Sequence, residues 1–418
     1  MRLTTTTTML AILALAAAAA RAPLAAEEAP PGLEPGPRAA GVGALEIEGL
    51  KRTRPSVVER LLSPFLGLSP EELDLAEVAR LLNDTGLFYD IEASIRHGEG
   101  GSPSLAVSVK EKSSLVPIPV VYSGGSGLTF GAAVLDSNAF GLNDKAVFVG
   151  MYNPEKWSAI ASYARLPPGP GSFGFSAFTI LSSGETQIVD AGDEELLAYE
   201  ATAFDLGLAL KRGLGPGLAV EAGLAYRLRS VEDEEAGSVQ YLPLSLGISV
   251  RRSSWDGIFS SERSAALEAV YALALEGGSY PAFEARLAFE EPLLPGLRLV
   301  ARASGLYAPE APLVLGEGPM AASVAILPSD FRSSSLAGAS AGLEARLAKT
   351  GPGSLTALAS YQAAIAEDAG GEEIIAQGPS GGIRFYLAKV AFPALEIRLS
   401  HNLEARLTDF SFSLGMRM

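Results

Sequence analysis

Few residues in this chain have the type and spacing that catalysis requires. The run GASAG, from Gly338 to Gly342, fits the G-x-S-x-G pattern of a nucleophilic serine. That chemistry needs a strand-turn-helix junction that exposes the serine, whereas Ser340 begins an alternating stretch with no helix after it. Small residues at the start of a strand explain the run better. The only two histidines, His97 and His401, lie in turn-rich segments, so we expect no enzyme.

Metal and cofactor chemistry also lacks candidate residues. The chain contains no cysteine, which excludes disulfides, thiolate metal sites and thiol nucleophiles. The acidic runs DAGDEELLAYE and SVEDEEAGS could bind calcium, but neither has EF-hand spacing, and solvated loops are the simpler explanation. No phosphate-binding glycine loop is evident. We therefore expect no metal and no cofactor.

One arginine stands apart from other basic residues. Arg332, in PSDFRSSSLAG, is the only basic residue between Arg302 and Arg346. A Gly/Pro-rich and mostly uncharged segment precedes it, and the alternating stretch ASAGLEARLAK follows it. The sequence alone leaves two explanations, a solvated loop residue and a residue with a specific partner.

Composition predicts an exported membrane protein without membrane helices. Residues 1–26 have a basic start and the apolar run MLAILALAAAAA, which is typical of a signal peptide; a membrane anchor is the alternative. Net charge is −16, which argues against nucleic acid as a partner. Hydrophobic residues make up 48% and charged residues 19% of the chain, and the mean hydropathy is +0.24. A transmembrane β-barrel satisfies these observations, because its strands hydrogen-bond to one another within the bilayer.

Periodicity divides the exported part into three segments. Residues 27–41 form a Pro/Gly-rich linker. Residues 42–112 predict a small α/β domain, because the helical spacing of RPSVVERLL and PEELDLAEVARLL lies between strand patterns. Residues 113–418 alternate with period two, as in YLPLSLGISVR and FEARLAFEE. We count roughly sixteen such strands, an even number that suits an antiparallel barrel; a soluble sandwich or propeller is the alternative.

Several motifs resemble a known family. The segments ALEIEGLKRTRPSVVERLL, LNDTGLFYDIEASI and LAVSVKEK resemble a single polypeptide-transport-associated (POTRA) domain. The segments LTFGAAVLDSNAFGLNDKAVFVGMY, VRRSSWDGIFSSERSAALEAVYAL and VLGEGPMAASVAILPSDFRSSSLAGASAGLEARL resemble the barrel of the BamA/TamA-like outer-membrane insertase superfamily, or bacterial surface antigens. The resemblance implies a mainly β protein with a 16-stranded barrel in the bacterial outer membrane and a POTRA domain in the periplasm.

The resemblance also implies a role for Arg332. In this family the long sixth loop folds into the barrel lumen, and an arginine at its tip pairs with acidic residues of the wall. Arg332, after Phe331, matches that arginine, and Glu344 matches an acidic partner. Two departures are present: Ser333 follows Arg332 where the family has glycine, and Gln362 stands where a second acidic residue is expected.

The implied function is assembly of β-barrel proteins in the outer membrane. Client strands would add to the edge of the strand from Phe88 to Ile95, including Tyr89 and Ile91, by β-augmentation. The barrel would open at the seam between its first and last strands. This seam includes Pro117, Pro119, Gly124 and Gly125 on one side and Phe410 and Phe412 on the other. The prolines remove backbone donors, although they also suit a chain entering the barrel.

Partners and alternatives follow from the same interpretation. We expect unfolded outer-membrane proteins, periplasmic chaperones or assembly partners, and outer-membrane lipid as the contacts of a monomeric barrel. One alternative is a two-partner-secretion transporter with a single substrate, although such proteins usually carry two POTRA domains. A second alternative is a passive porin or surface antigen, and a third is a barrel hydrolase, for which the chain barely provides a Ser–His pair.

Overall fold

The computed structural model describes residues 41–97, 103–124, 127–167, 171–231, 238–255, 259–275, 277–316, 318–351, 353–368, 371–387 and 393–414. The predicted signal peptide and all of the predicted linker except Gly41 lie outside the described residues. The chain divides into two compact units. Among the described residues, the N-terminal unit contains 41–116 and 136–145, and the barrel unit contains 117–135 and 146–414.

The N-terminal unit contains a three-stranded sheet and two helices. Its elements in chain order are β1 Ala44–Glu48, α1 Pro55–Leu62, α2 Leu75–Asp84, β2 Phe88–His97 and β3 Pro103–Glu111, with one 3-10 turn at Ser63–Phe65. The strand order is β1-β3-β2, in which β1 runs parallel and β2 antiparallel to β3. The order of strand, helix, helix, strand, strand is the one the sequence predicts.

Helix capping and apolar spacing explain why this unit folds as it does. Pro55 occupies the first turn of α1, where its missing N–H is not needed. The side chain of Asp74 accepts hydrogen bonds from the N–H groups of Ala76 and Glu77 at the start of α2. The helices bury their apolar faces against β3 and β2, and the fully buried side chains of this core are Val58, Leu62, Val78, Leu82, Phe88 and Leu105.

A polar network holds the segment between β1 and α1. The carboxylate of Glu111 accepts hydrogen bonds from the N–H groups of Arg52, at 2.9 Å, and Thr53, at 2.8 Å. Partial burial acts to raise the pKa of Glu111, but these backbone donors outweigh it and lower the pKa below its usual value. Asn138, in the segment 136–145 of the same unit, donates from Nδ2 to the hydroxyl of Thr53 at 2.9 Å.

Sixteen antiparallel strands form the closed barrel among the described residues. They are β4 Leu115–Gly124, β5 Gly127–Ala139, β6 Asp144–Tyr152, β7 Lys156–Arg165, β8 Phe173–Val189, β9 Glu195–Gly215, β10 Leu218–Val231, β11 Val239–Trp255, β12 Ser260–Ala274, β13 Tyr280–Leu294, β14 Leu297–Tyr307, β15 Ser335–Lys349, β16 Gly353–Glu367, β17 Glu373–Leu387, β18 Pro393–Asn402 and β19 Leu407–Leu414. The predicted number of strands is confirmed. We call the end at which β4 begins the entry end and the opposite end the far end.

The two faces of the barrel wall differ in polarity. On β9, Leu206, Leu208 and Leu210 are exposed on the outer face, whereas Asp205 is buried on the inner face. On β15, Leu343 is exposed and Glu344 is buried. Apolar residues outside and polar residues inside are the pattern of strands that face lipid. Among the described residues, no helix is long and apolar enough to cross a membrane.

The longest connection between barrel strands packs against the inner wall. Residues 308–334 leave β14 at the far end and return to β15; we call this segment the interior loop. Five of its side chains, Ala322, Val324, Ile326, Leu327 and Phe331, are buried in one cluster with Val189, Leu336, Ala364, Ala366 and Ala376. The alternation of β16 assigns Ala364 and Ala366 to its inner face, so the interior loop folds inward, as the resemblance implies.

Candidate functional site: the barrel interior and its seam

The carboxylate of Glu344 is the centre of a charged cluster on the inner wall. Its side chain is 0% exposed. Arg298 on β14 binds it with Nη2 at 2.7 Å and Nε at 3.1 Å, and Arg384 on β17 binds it with Nη1 at 3.1 Å. The hydroxyls of Thr356 and Tyr386 donate to its Oε1 at 2.7 and 2.9 Å. These hydrogen bonds and opposite charges replace the water that the buried carboxylate loses.

The cluster extends across neighbouring strands. Arg298 also binds Glu290 of β13 at 2.9 Å, and its guanidinium lies 4.5 Å from the ring centroid of Phe259. Arg384 also binds Glu396 of β18 at 2.9 Å. Side chains of six consecutive strands, β13 to β18, are therefore joined near the entry end. We expect this polar cross-linking to make that part of the wall rigid.

The structure does not form the predicted pair between Arg332 and Glu344. The Nη1 atom of Arg332 donates to the carbonyl oxygens of Ser329 and Phe331, both at 2.8 Å. Glu344 is instead bound by the wall arginines Arg298 and Arg384. The pairing prediction is therefore wrong. The physical reason is that wall arginines on strands β14 and β17 already neutralise the carboxylate near the entry end, whereas the interior loop starts from the far end.

Apolar contacts and neutral hydrogen bonds hold the interior loop instead. Phe331, which is 1% exposed, forms a parallel bridge with Val189 at the end of β8. Gln362, which replaces the expected acidic residue, accepts a hydrogen bond from the N–H of Ala325 at 2.6 Å. Ser333, which replaces the expected glycine, donates to the carbonyl of Glu367 at 2.7 Å. Both departures from the family pattern thus anchor the loop without a charge pair.

The seam between β4 and β19 has a short register among the described residues. Two residue pairs join these strands among the described residues, Val121 with Leu414 and Tyr122 with Ser413. In contrast, the neighbouring pair β18 and β19 has eight, from Leu395–Leu414 to Asn402–Leu407. Residues 415–418 lie outside the described part of the chain. Each ladder hydrogen bond contributes about 1 kcal/mol net, so the free-energy cost of opening the seam rises with the number of pairs that join β4 to β19.

The structure places the predicted seam residues as follows. Pro117 and Pro119 lie in β4 on its exposed face, alternating with the buried Ile118 and Val120. Gly124 is the last residue of β4, and Gly125 lies outside the described residues. Phe410 and Phe412 lie in β19, where they pair with Leu399 and Ile397 of β18. The other five predicted residues thus belong to the two strands that meet at the seam.

The predicted client-binding strand is an edge strand of the N-terminal sheet. β2 pairs with β3 on one side, and the strand order ends at β2. The register is interrupted between Tyr89 and Glu92, where Asp90 has a φ of 53°. Tyr89 is exposed, but Phe88 is fully buried, and Ile91 and Ile95 pack against the same core. The backbone edge, rather than these three side chains, is therefore the feature available to a partner.

Three solved structures share this fold. BamA from Haemophilus ducreyi lacking POTRA domains 1–3 aligns with a TM-score of 0.59 and 15% identity over 90% of this chain and 84% of that one. CdiB from Acinetobacter baumannii aligns with 0.61 and 14% identity over 90% and 74%. CdiB from Escherichia coli aligns with 0.55 and 11% identity over 94% of both chains. The chain has the fold of the BamA and CdiB barrels. No protein-family model and no curated sequence matches it.

Sequence reasoning missed the two arginines that bind Glu344. A signal for both was present, because alternation assigns them to the inner face. In LRLVAR, Arg298 and Arg302 alternate with the outward Leu297, Leu299 and Ala301. In GIRFYL, Arg384 and Tyr386 alternate with Ile383 and Phe385. The partners of Glu344 could not be deduced from the sequence, because 27 residues separate β14 from β15. A short turn fixes the register of the two strands it joins, whereas a loop of this length does not.

Proposed function

We propose that this chain is an outer-membrane insertase or translocase that assembles β-barrel proteins through the seam between β4 and β19. The observation that carries the proposal is the meeting of the first and last barrel strands at this seam, where two residue pairs join them among the described residues. The outer face supports the membrane location, because its exposed rows are apolar. The likeness of fold to BamA and CdiB supports the same class of function.

The seam would act as the route for client strands. When β4 separates from β19, each strand presents unpaired N–H and C=O groups that a client strand can pair with. Pro117 and Pro119 lack N–H donors, which reduces the number of backbone hydrogen bonds that β4 loses when it separates. The charged cluster around Glu344 keeps the wall from β13 to β18 intact, so opening is confined to the weaker junction.

The N-terminal unit would hold clients before insertion. Its edge strand β2 can accept an extended client strand by β-augmentation, which relies on main-chain hydrogen bonds and is therefore independent of client sequence. The unit would act as a single POTRA domain in the periplasm. No step in this mechanism needs a catalytic side chain, a metal or a cofactor. The partners would be unfolded outer-membrane proteins, periplasmic chaperones or assembly partners.

Depletion of the protein in its native cell tests the proposal. The abundance of every outer-membrane barrel protein would be measured against lipoproteins as an internal control. We expect a broad loss of barrel proteins with lipoproteins unchanged, and rescue by the wild-type chain. Unchanged barrel proteins after depletion would contradict the insertase function.

A transporter of one dedicated substrate is the second candidate. The fold likeness to CdiB, which extends over 94% of both chains, favours it. Such transport would pass through the lumen and require the interior loop to leave the inner wall. Loss of one exported protein from the medium on depletion, with all barrel proteins unchanged, would favour this candidate over the insertase.

A further inference from the structure

Three arginines on the barrel wall stack on phenylalanine rings of the neighbouring strand. The guanidinium of Arg165 lies 5.5 Å from the ring centroid of Phe175, that of Arg212 lies 5.5 Å from Phe173, and that of Arg263 lies 5.4 Å from Phe289. In each case the two residues are direct register partners. These distances lie within the range of cation–π attraction.

All three pairs lie on the outer face near the entry end. Arg165 ends β7, Phe173 begins β8, and Arg212 precedes the end of β9 at Gly215. The rings of Phe173 and Phe175 are 56% and 42% exposed. Arg212 continues the outward row of Leu206, Leu208 and Leu210, which are themselves exposed. Arg165 and Arg212 therefore lie near the entry end of rows of lipid-facing apolar residues, and one exposed leucine, Leu214, follows Arg212 in its row.

The position along β9 matches a membrane interface. Glu200 and Arg212 are exposed residues of the same outward row, and the residues between them in this row are Thr202, Phe204, Leu206, Leu208 and Leu210. The distance from Glu200 to Arg212 is about 40 Å along a strand, which corresponds to about 30 Å across a bilayer at the usual strand tilt. This is the thickness of the hydrocarbon layer, so Arg212 reaches the headgroup region at the entry end.

Two of the three pairs form one continuous patch. Arg165 and Arg212 flank β8 from β7 and β9, with Phe173 and Phe175 between them, and Tyr163 packs on Phe175 with ring centroids 5.5 Å apart. Neighbouring strands are about 4.8 Å apart, so the backbones of β7 and β9 lie about 10 Å apart. In the third pair, Arg263 also forms an ion pair with Glu291 at 2.6 Å.

We propose that Arg165, Phe173, Phe175 and Arg212 bind the headgroup of an anionic phospholipid at the entry-end interface. The planar guanidinium groups match the phosphate oxygens, and the rings keep them in place while contacting the first acyl carbons. An anionic lipid is the ligand whose charge complements this patch, because the guanidinium groups of Arg165 and Arg212 lie beside the apolar, lipid-facing wall. The proposal rests on the membrane location given under the proposed function, but it does not depend on insertase activity.

Lipid binding to the refolded full-length chain tests the proposal. Native mass spectrometry would measure the dissociation constant for phosphatidylglycerol, with phosphatidylcholine as the zwitterionic comparison. For Arg165→Gln and Arg212→Gln we expect about a five-fold weaker affinity for phosphatidylglycerol per arginine, with phosphatidylcholine unchanged. Arg212→Lys keeps the charge but loses the bidentate guanidinium donors and their stacking on the ring, so we expect a smaller loss of affinity than for Arg212→Gln.

Matched controls separate the possible outcomes. Arg286→Gln removes an arginine that is paired with Glu284 on the inner face and should leave the affinity unchanged. Arg263→Gln should have a smaller effect than Arg212→Gln, because Glu291 already neutralises Arg263. Equal affinities in the wild type, Arg165→Gln and Arg212→Gln would overturn the proposal. Full displacement of the lipid by millimolar inorganic phosphate would also overturn it, because the acyl contacts would then contribute nothing.

A separate experiment tests whether the barrel inserts into a membrane. If the wild-type chain does not fold into phosphatidylcholine vesicles, measured by flotation and protection from trypsin, the lipid-facing wall itself is refuted together with this site. If it folds and shows no preference for phosphatidylglycerol, this site alone is wrong.

Discussion

The carboxylate of Glu344 and the guanidinium of Arg332 have different surroundings. Glu344 is fully buried and receives bonds from two arginines and two hydroxyls, whereas Arg332 contacts two loop carbonyls. Removing the charge of Glu344 leaves Arg298 and Arg384 with one carboxylate each, Glu290 and Glu396, and breaking a buried ion pair costs more than losing a partly exposed hydrogen bond. The two residues should therefore differ strongly in their contribution to stability.

For Glu344→Gln we expect a loss of about 3–5 kcal/mol in the free energy of unfolding, because Arg298 and Arg384 remain buried without their shared carboxylate. For Arg332→Ala we expect less than about 1 kcal/mol. Urea unfolding of the refolded barrel in detergent measures both. A larger loss for Arg332→Ala than for Glu344→Gln would contradict this account and would favour the pairing of Arg332 with an acidic wall residue that the family resemblance implies.

The side chain of Glu111 should make the N-terminal unit sensitive to acid. Its pKa is lowered in the folded state, so the stabilisation is complete above the ordinary pKa of about 4.3. The stabilisation is lost as the pH falls through the lowered folded-state value. Glu111→Gln should therefore destabilise the unit at pH 7 and have little effect near pH 2.

Amide hydrogen exchange tests this pH dependence. Protection of the amides of Arg52 and Thr53 would be compared between Glu111→Gln and the wild type at each pH, so that the intrinsic exchange rate cancels. Glu59→Gln, on the exposed side of α1, is the control. An equal difference in protection at pH 7 and pH 2 would show that the charge of Glu111 is not responsible.

Single residues show where inference from the sequence is limited. Alternation correctly assigns Glu344 to the inner face, since only the parity of LEARL is needed. The identity of its partners depends on the register between strands joined by a long loop, which a pattern of single strands does not contain. Family resemblance supplied Arg332 as the partner, but this chain has Arg298 and Arg384 on the wall beside Glu344.

The interior loop is attached to the inner wall mainly by apolar contacts. Its buried side chains Val324, Ile326, Leu327 and Phe331 pack against inner-wall alanines. Small wall residues leave room for these larger side chains, which is why the loop fits between them. Because the contacts are apolar, the attachment of the loop should depend little on salt.

Phe331→Ala should loosen this element. The substitution removes a fully buried ring, at a cost of about 3 kcal/mol, and should raise the fraction of time during which the lumen conducts ions. Conductance of single barrels in planar bilayers measures this fraction. Leu343→Ala, which removes an exposed side chain from the outer face, is the control. A conductance equal to that of the wild type would show that Phe331 does not hold the loop.

Elements differ in how well the sequence predicts them. The strands, the two helices and their order follow from periodicity, because period two and period 3.6 separate cleanly at about residue 113. The inward fold of the interior loop follows from the family resemblance. The bulge between Tyr89 and Glu92 and the two-pair register of the seam depend on pairing between strands, and periodicity of one strand carries no information about them.

At the scale of the whole molecule, stability is unevenly distributed around the barrel wall. Strands β13 to β18 are joined by the charged cluster as well as by long registers, whereas β19 and β4 share two described pairs. The charged cluster does not extend to this seam, and a barrel opens first at the junction whose separation costs least. This uneven distribution is the physical basis of the proposed lateral gate.

A disulfide across the seam tests the central claim most directly. Val121→Cys with Leu414→Cys joins register partners, and the natural chain has no cysteine to interfere. Leu343→Cys with Ala359→Cys joins register partners of β15 and β16 and is the control. The measurement is insertion of an unfolded barrel protein into vesicles that contain each oxidised variant. We expect the seam disulfide to reduce insertion to the rate of protein-free vesicles, reduction to restore it, and the control disulfide to have no effect. Wild-type insertion by the oxidised seam variant would contradict the proposed gate.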